Sequence, residues 1–171
     1  TDCTCHFHTA QCLGKNLSTF PDISQYTKAV IFRQNMLQSW PQIYQTVLLL
    51  YHLDLSFNLI RVVDVKSSRN IVFLRTIDAS SNYIWLIMPM SFSSLVYLRK
   101  LNILNNPIKS ILAESFYGLS SLKSLNLSAL GLQALEPYTF SGLHGVISLD
   151  LSDNYIKSLS SGMFAGQIGR A

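Results

Sequence analysis

The chain is short of charge, of long apolar runs and, beyond residue 12, of cysteine. Only 13% of its 171 residues are charged while 49% are hydrophobic, a balance that excludes disorder and calls for one sizeable core. The net charge of +4 comes from Lys and Arg scattered singly, without a basic block, so no nucleic-acid partner is expected. No apolar run reaches the roughly 18 residues that span a bilayer; the most apolar stretches are Val47 to Tyr51 and Ile84 to Met90. Catalytic grammar is missing too. His52 and His144 stand apart from any nucleophile and orienting acid, and there is no Gly-rich phosphate loop. The chain reads as a non-enzyme without a cofactor.

Cys3, Cys5 and Cys12 sit together with His6 and His8, and none follows. They could ligate zinc, but the C-x2-C spacing of such modules is absent and a disulfide accounts for them better. Three thiols leave one without a partner. A disulfide implies an oxidising compartment.

What is present is repetition. LRKLNILNNPIKSILAESFYGL, Leu98 to Leu119, carries L-x-x-L-x-L-x-x-N-x-L followed by a Phe and a Leu. With its first Leu as position 1, the template starts at Thr27, Leu50, Leu74, Leu98, Leu122 and Val146, at intervals of 23, 24, 24, 24 and 24 residues. Position 4 is always aliphatic. Position 9 is Asn35, Asn58, Asn82, Asn106, Leu130 and Asn154, and position 19 is Phe92, Phe116, Phe140 and Phe164 in the last four repeats. Period-2 alternation around position 4 predicts a short strand per repeat. No turn buries its apolar face alone, so neighbours complete a continuous core. A buried Asn column must bond adjacent backbones; Leu130 breaks it, so that turn has to satisfy its backbone differently. Gln45 and Ser68 replace the spine Phe in the first two repeats, which predicts irregular convex sides there.

The expectation is an α/β repeat solenoid: a right-handed leucine-rich-repeat coil with a parallel concave sheet and an irregular or short-helical convex side. Residues 1–26 form an incomplete cap and 27–171 six repeats. The start at Thr1, without Met or leader, and the stop at Ala171, inside a convex segment, read as a mature chain or a piece of a longer one.

The repeats resemble the extracellular "typical" leucine-rich repeats, and CTCHFHTAQC resembles the C-x-C-x6-C part of their cysteine-rich N-terminal cap. The resemblance implies a Cys3–Cys12 bridge, with Cys5 paired to a cysteine upstream of Thr1. A narrower resemblance, over Cys12 to Pro41, is to relaxin-receptor-like G-protein-coupled receptors. It implies a hormone-type receptor ectodomain on the outer face of the plasma membrane, held by segments outside this chain. In that family concave acidic residues pair with arginines of the ligand, which carries onto Asp54, Asp78 and Asp150. The alternatives are a secreted matrix or adhesion protein, and an innate-immune recognition receptor with more repeats and one membrane span.

The residues between the leucines are the candidate site for a protein or peptide ligand. Position 2 stacks Lys28, Tyr51, Arg75, Arg99, Lys123 and Ile147, with Lys100 beside it; position 5 stacks Ile31, Asp54, Asp78, Asn102, Asn126 and Asp150; position 8 adds Phe57 and Asp153. A basic stripe beside an acidic one on the sheet would give a ligand register and on-rate, or the two would neutralise each other in solvent. Asp54→Lys with Asp78→Lys is expected to abolish binding of a basic peptide with little change in stability. Asn16-Leu-Ser18 and Asn126-Leu-Ser128 are glycosylation sequons, Asn16 in the cap and Asn126 on the concave face.

Overall fold

A computed structural model of the chain describes residues 3–43, 47–64, 70–159 and 162. Six three-residue strands at positions 3 to 5 of the repeats build the sheet: β3 (Ala29–Ile31), β4 (His52–Asp54), β6 (Thr76–Asp78), β8 (Lys100–Asn102), β9 (Ser124–Asn126) and β10 (Ser148–Asp150). They run parallel in sequence order, each paired residue for residue with the same template positions of the next. Positions 4 and 6 both turn inward. Leu53, Leu55, Leu101 and Ile103 are all buried on one side, and the core runs unbroken along the coil.

The N-terminal segment is built into the same sheet. β1 (Thr4–His6) and β2 (Thr9–Gln11) form an antiparallel hairpin, and β2 lies parallel to β3. Phe7 and His8, both at positive φ, make its tight turn. Cys3 and Cys12 are disulfide-bonded, as the cap resemblance implies, and Cys12 is fully buried. Cys5 is free and exposed. Asn35 docks this segment, accepting from the Lys15 and Leu17 amides at 3.1 and 3.0 Å and donating to the Cys12 carbonyl.

The asparagine column does what burial demands. Asn58 and Asn82 accept from the amides of Leu37 and Ile60 in the preceding repeat, at 3.1 and 3.0 Å, and donate to the carbonyls of Phe32 and Leu55 at 2.8 and 3.0 Å. Position 8, just before the column, lies in the left-handed region in all six repeats, the one with Leu130 included: Gln34, Phe57, Ser81, Asn105, Ala129 and Asp153 have φ between 52 and 58°.

The convex side departs from the short-helical expectation: among the described residues no helix forms. The chain there turns repeatedly, with Met90, Glu114 and Tyr138 at positive φ, which interrupts any helical run. Repeats two and three instead pair β5 (Val62–Val63) with β7 (Leu86–Ile87). Buried hydroxyls then tie one repeat to the previous one: Ser91 Oγ donates to the Val63 carbonyl at 2.9 Å and Ser115 Oγ to the Ile87 carbonyl at 3.2 Å. The phenylalanine spine stacks as expected, Phe92 on Phe116 at 6.4 Å and Phe116 on Phe140 at 6.2 Å. Trp40 extends it, meeting Phe92 edge-on at 6.1 Å. The indole N–H of Trp40 is buried without an acceptor among the described residues. Gln45, Ser68, Phe164 and Ala171 lie outside the described residues.

Candidate ligand-recognition surface

Positions 3 and 5 flank the buried position 4 and share the open face of the sheet. Lys100 is exposed there, beside Thr76, and a ring nitrogen of His52 is bonded to the Thr76 hydroxyl on the next rung.

The aspartates at position 5 have a structural job that the repeat grammar did not reveal. Asp54 Oδ1 accepts from both the amide and the hydroxyl of Ser56, at 2.9 and 2.6 Å; Asp78 does the same with Ser80, and Asp150 with Ser152. Asn126 makes the same pair with Ser128. Each D-x-S or N-x-S triplet thus closes the end of its strand. The second Asp78 oxygen accepts from Asn102 Nδ2 at 3.0 Å, so Asp78 is committed within the sheet. Asp54 and Asp150 each keep their second oxygen without a partner among the described residues. Lysine at positions 54 and 78 would strip the buried Ser56 and Ser80 amides of their acceptor. The expectation that this pair leaves stability almost unchanged is therefore corrected: about 1–3 kcal/mol is at stake at each position. The Ser152 hydroxyl and amide hold the Asp150 carboxyl below its ordinary value, against a smaller opposing effect of burial.

The basic column goes elsewhere. Arg75, Arg99 and Lys123 precede their strands by one residue, held one rung apart by amide-to-carbonyl bonds of 2.8 to 2.9 Å along Tyr51, Arg75, Arg99 and Lys123. They do not oppose the aspartates. Arg75 and Arg99 line a groove of about 520 Å³ on the N-terminal flank of the sheet, together with Leu49, Tyr51, Phe73 and Tyr97. Phe73 and Tyr97 stack there at 5.4 Å with their planes 13° apart. Repeat spacing points to Tyr51 and the arginines but not to Phe73 and Tyr97. Both stand one residue before position 1, where the template asks for nothing, and an aromatic recurring at that place was the available signal.

Phe57 lies on the opposite flank, its ring 4.8 Å below the Arg33 guanidinium, in a second groove of about 620 Å³ shared with Tyr83, Asn105, Asp153 and Tyr155. Among the described residues no group of three His, Cys, Asp or Glu could hold a metal ion.

Residues 73–129 and 122–167 match the family model described as leucine rich repeat. The chain belongs to the leucine-rich repeat family. The matched span begins at the third repeat. No curated protein matches the chain. Among solved structures, this leucine-rich-repeat chain is similar to TLR13 in the TLR13–ssRNA13 complex, with 29% identity over 83% of this chain and 20% of that one, at a TM-score of 0.78. It shares its fold with a chain of the Toll–Spatzle complex from Drosophila, with 22% identity over 94% of this chain and 22% of that one, at a TM-score of 0.71. The chain thus spans about a fifth of the length of these Toll-type relatives. It is a leucine-rich-repeat ectodomain-like chain resembling Toll-like receptors. The exclusion of nucleic acid drawn from scattered Lys and Arg loses its support, since one neighbour is an RNA complex.

Proposed function

We propose that this chain is part of the ligand-recognition ectodomain of a Toll-like innate-immune receptor on the outer face of a membrane. The likeness to TLR13, 29% identity over 83% of this chain, carries the reading and favours it over the relaxin-receptor-like one drawn from Cys12 to Pro41. The geometry agrees with a binding role. The leucines and Asn column are consumed in holding the coil, whereas the sheet face and its two flanks leave polar and aromatic side chains in solvent. Recognition of a protein or peptide would use the free oxygens of Asp54 and Asp150, with Lys100 between them on the same face.

The test is the complete transcript. A Toll-like receptor continues into further repeats and a single membrane-spanning helix. Seven membrane-spanning helices, or a stop after a second cysteine-rich cap, would overturn the proposal in favour of a hormone-type receptor or a secreted matrix protein.

A further inference from the structure

We infer that the N-terminal flank of the sheet, around Tyr51, Phe73, Arg75, Tyr97 and Arg99, binds single-stranded nucleic acid. This deepens the receptor reading and rests on it only in requiring that the flank face solvent. Three observations carry the inference.

First, the flank is cationic and unopposed. Arg75 and Arg99 have no carboxylate partner among the described residues, and no acidic side chain lines their groove. Lys123 continues the row on the next rung, with its Nζ 3.1 Å from where a side chain on Gly145 would begin. That places the ammonium over the flank.

Second, the aromatic rings are exposed in spite of their size. Tyr51 is 47%, Phe73 41% and Tyr97 52% exposed. Phe73 and Tyr97 stack on each other, so the parallel pair presents flat π-faces beside two guanidinium groups. A surface serving only solubility has no use for such rings, and a site for a simple polyanion needs charge alone. Alternating planes and cations suit a ligand with phosphates on one side and unstacked bases on the other.

Third, the spacing is rigid. The amide ladder through Tyr51, Arg75, Arg99 and Lys123 fixes one cation or aromatic group per rung of about 4.8 Å. An extended strand laid along the coil meets the same chemistry at each step. A duplex buries its base faces and would meet only the charges.

The experiment measures fluorescence anisotropy of a labelled 20-nucleotide oligouridylate with the full chain, over a range of salt. Three proteins are compared: the parent, Arg75→Gln with Arg99→Gln, and Phe73→Ser with Tyr97→Ser. All four side chains are exposed, and unchanged melting confirms that each variant is folded. The arginine pair should flatten the dependence of log affinity on log salt by about 1.4, at roughly 0.7 per phosphate contact on a single strand. The aromatic pair should weaken binding at least about tenfold while leaving the salt slope unchanged. Inorganic polyphosphate, poly-glutamate and an RNA duplex of equal length should compete poorly. Absence of binding overturns the inference, as does an aromatic variant that binds like the parent. Equal competition by polyphosphate means a charge-only surface, and equal competition by poly-glutamate means an acidic-protein site; either also overturns it. The receptor reading is decided separately by the transcript, so the two failures are distinguishable.

Discussion

The Ile108 amide donates to the Asn106 carbonyl at 2.8 Å, two residues back across Pro107. In four of the other repeats the equivalent amides of Leu37, Ile60, Ile84 and Leu132 donate to the side-chain oxygen of an Asn one repeat further on. At Ile108 that residue is Leu130, which has no oxygen to offer. Proline's fixed φ suits the central position of such a tight turn, so Pro107 and Leu130 are one paired departure from the repeat.

Asn82→Ala should therefore cost more than the natural Leu130 suggests. Position 10 of the preceding repeat is Leu59, without proline's preset, and the Ile60 amide would be left buried and unpaired. A loss of about 2–3 kcal/mol in denaturant unfolding is expected. A loss below about 1 kcal/mol would show that a turn like that at Ile108 forms without Pro107.

Two glycines separate steric from conformational cost. A β-carbon at Gly118 would lie 2.6 Å from the backbone of Ser93, whereas at Gly131 nothing stands within 4 Å; their φ values are 91 and 84°. Gly131→Ala should lose about 1 kcal/mol, the left-handed penalty alone. Gly118→Ala should lose at least about 2 kcal/mol, since backbone must move as well. Similar melting of the two variants would contradict this packing of the convex side.

Acid sensitivity should follow Asp150. Its carboxyl is held below its ordinary value, chiefly by the Ser152 hydroxyl and then by the Ser152 amide. Its contribution is thus present above the ordinary carboxylate pKa and lost as pH falls through the lower folded value. Asp150→Asn keeps the acceptor, as Asn126 does naturally with Ser128, but cannot titrate. The stability gap between parent and variant should shrink as pH falls from about 7 to about 2.5. A gap constant across that range would mean the Ser152 bonds do not favour the charged form.

The two sequons should differ in occupancy. Asn16 is exposed on a cap loop at φ 56°. Asn126 is half-buried between Asn102 and Asp150 on adjoining rungs, its oxygen held by Ser128. Glycopeptide mass spectrometry of secreted protein should find sugar on Asn16 and a bare Asn126. The reverse pattern would mean that the concave face is shielded.

The coil was legible because its constraints repeat. Position 4, position 9 and the spine phenylalanines each recur at 23 or 24 residues and each answers a burial problem. The left-handed position 8 was not legible: Gln34, Phe57 and Ala129 carry no preference for it, and it persists at Ala129 where Leu130 replaces the following Asn, so the backbone path of the coil imposes it. The convex hydroxyls of Ser91, Ser115 and Thr139 directly precede Phe92, Phe116 and Phe140 and were readable but looked like filler. The candidate site was half legible. Alternation placed the aspartates on the sheet face, but their bonds to the following serines depend on how each strand ends. Arg75 and Arg99 fall off that face because position 2 lies before the strand begins, where strand alternation does not set the direction of the side chain.

Recognition of a single strand is assigned to the exposed aromatic and cationic side chains on the N-terminal flank of the sheet. Photo-crosslinking of an oligouridylate carrying 4-thiouridine to the full chain, read by mass spectrometry, tests it most directly. Crosslinks are expected at Tyr51, Phe73 and Tyr97, and should be lost when Arg75 and Arg99 are replaced by glutamine. Crosslinks confined to the convex side, or to the groove of Phe57 and Tyr155, would contradict it.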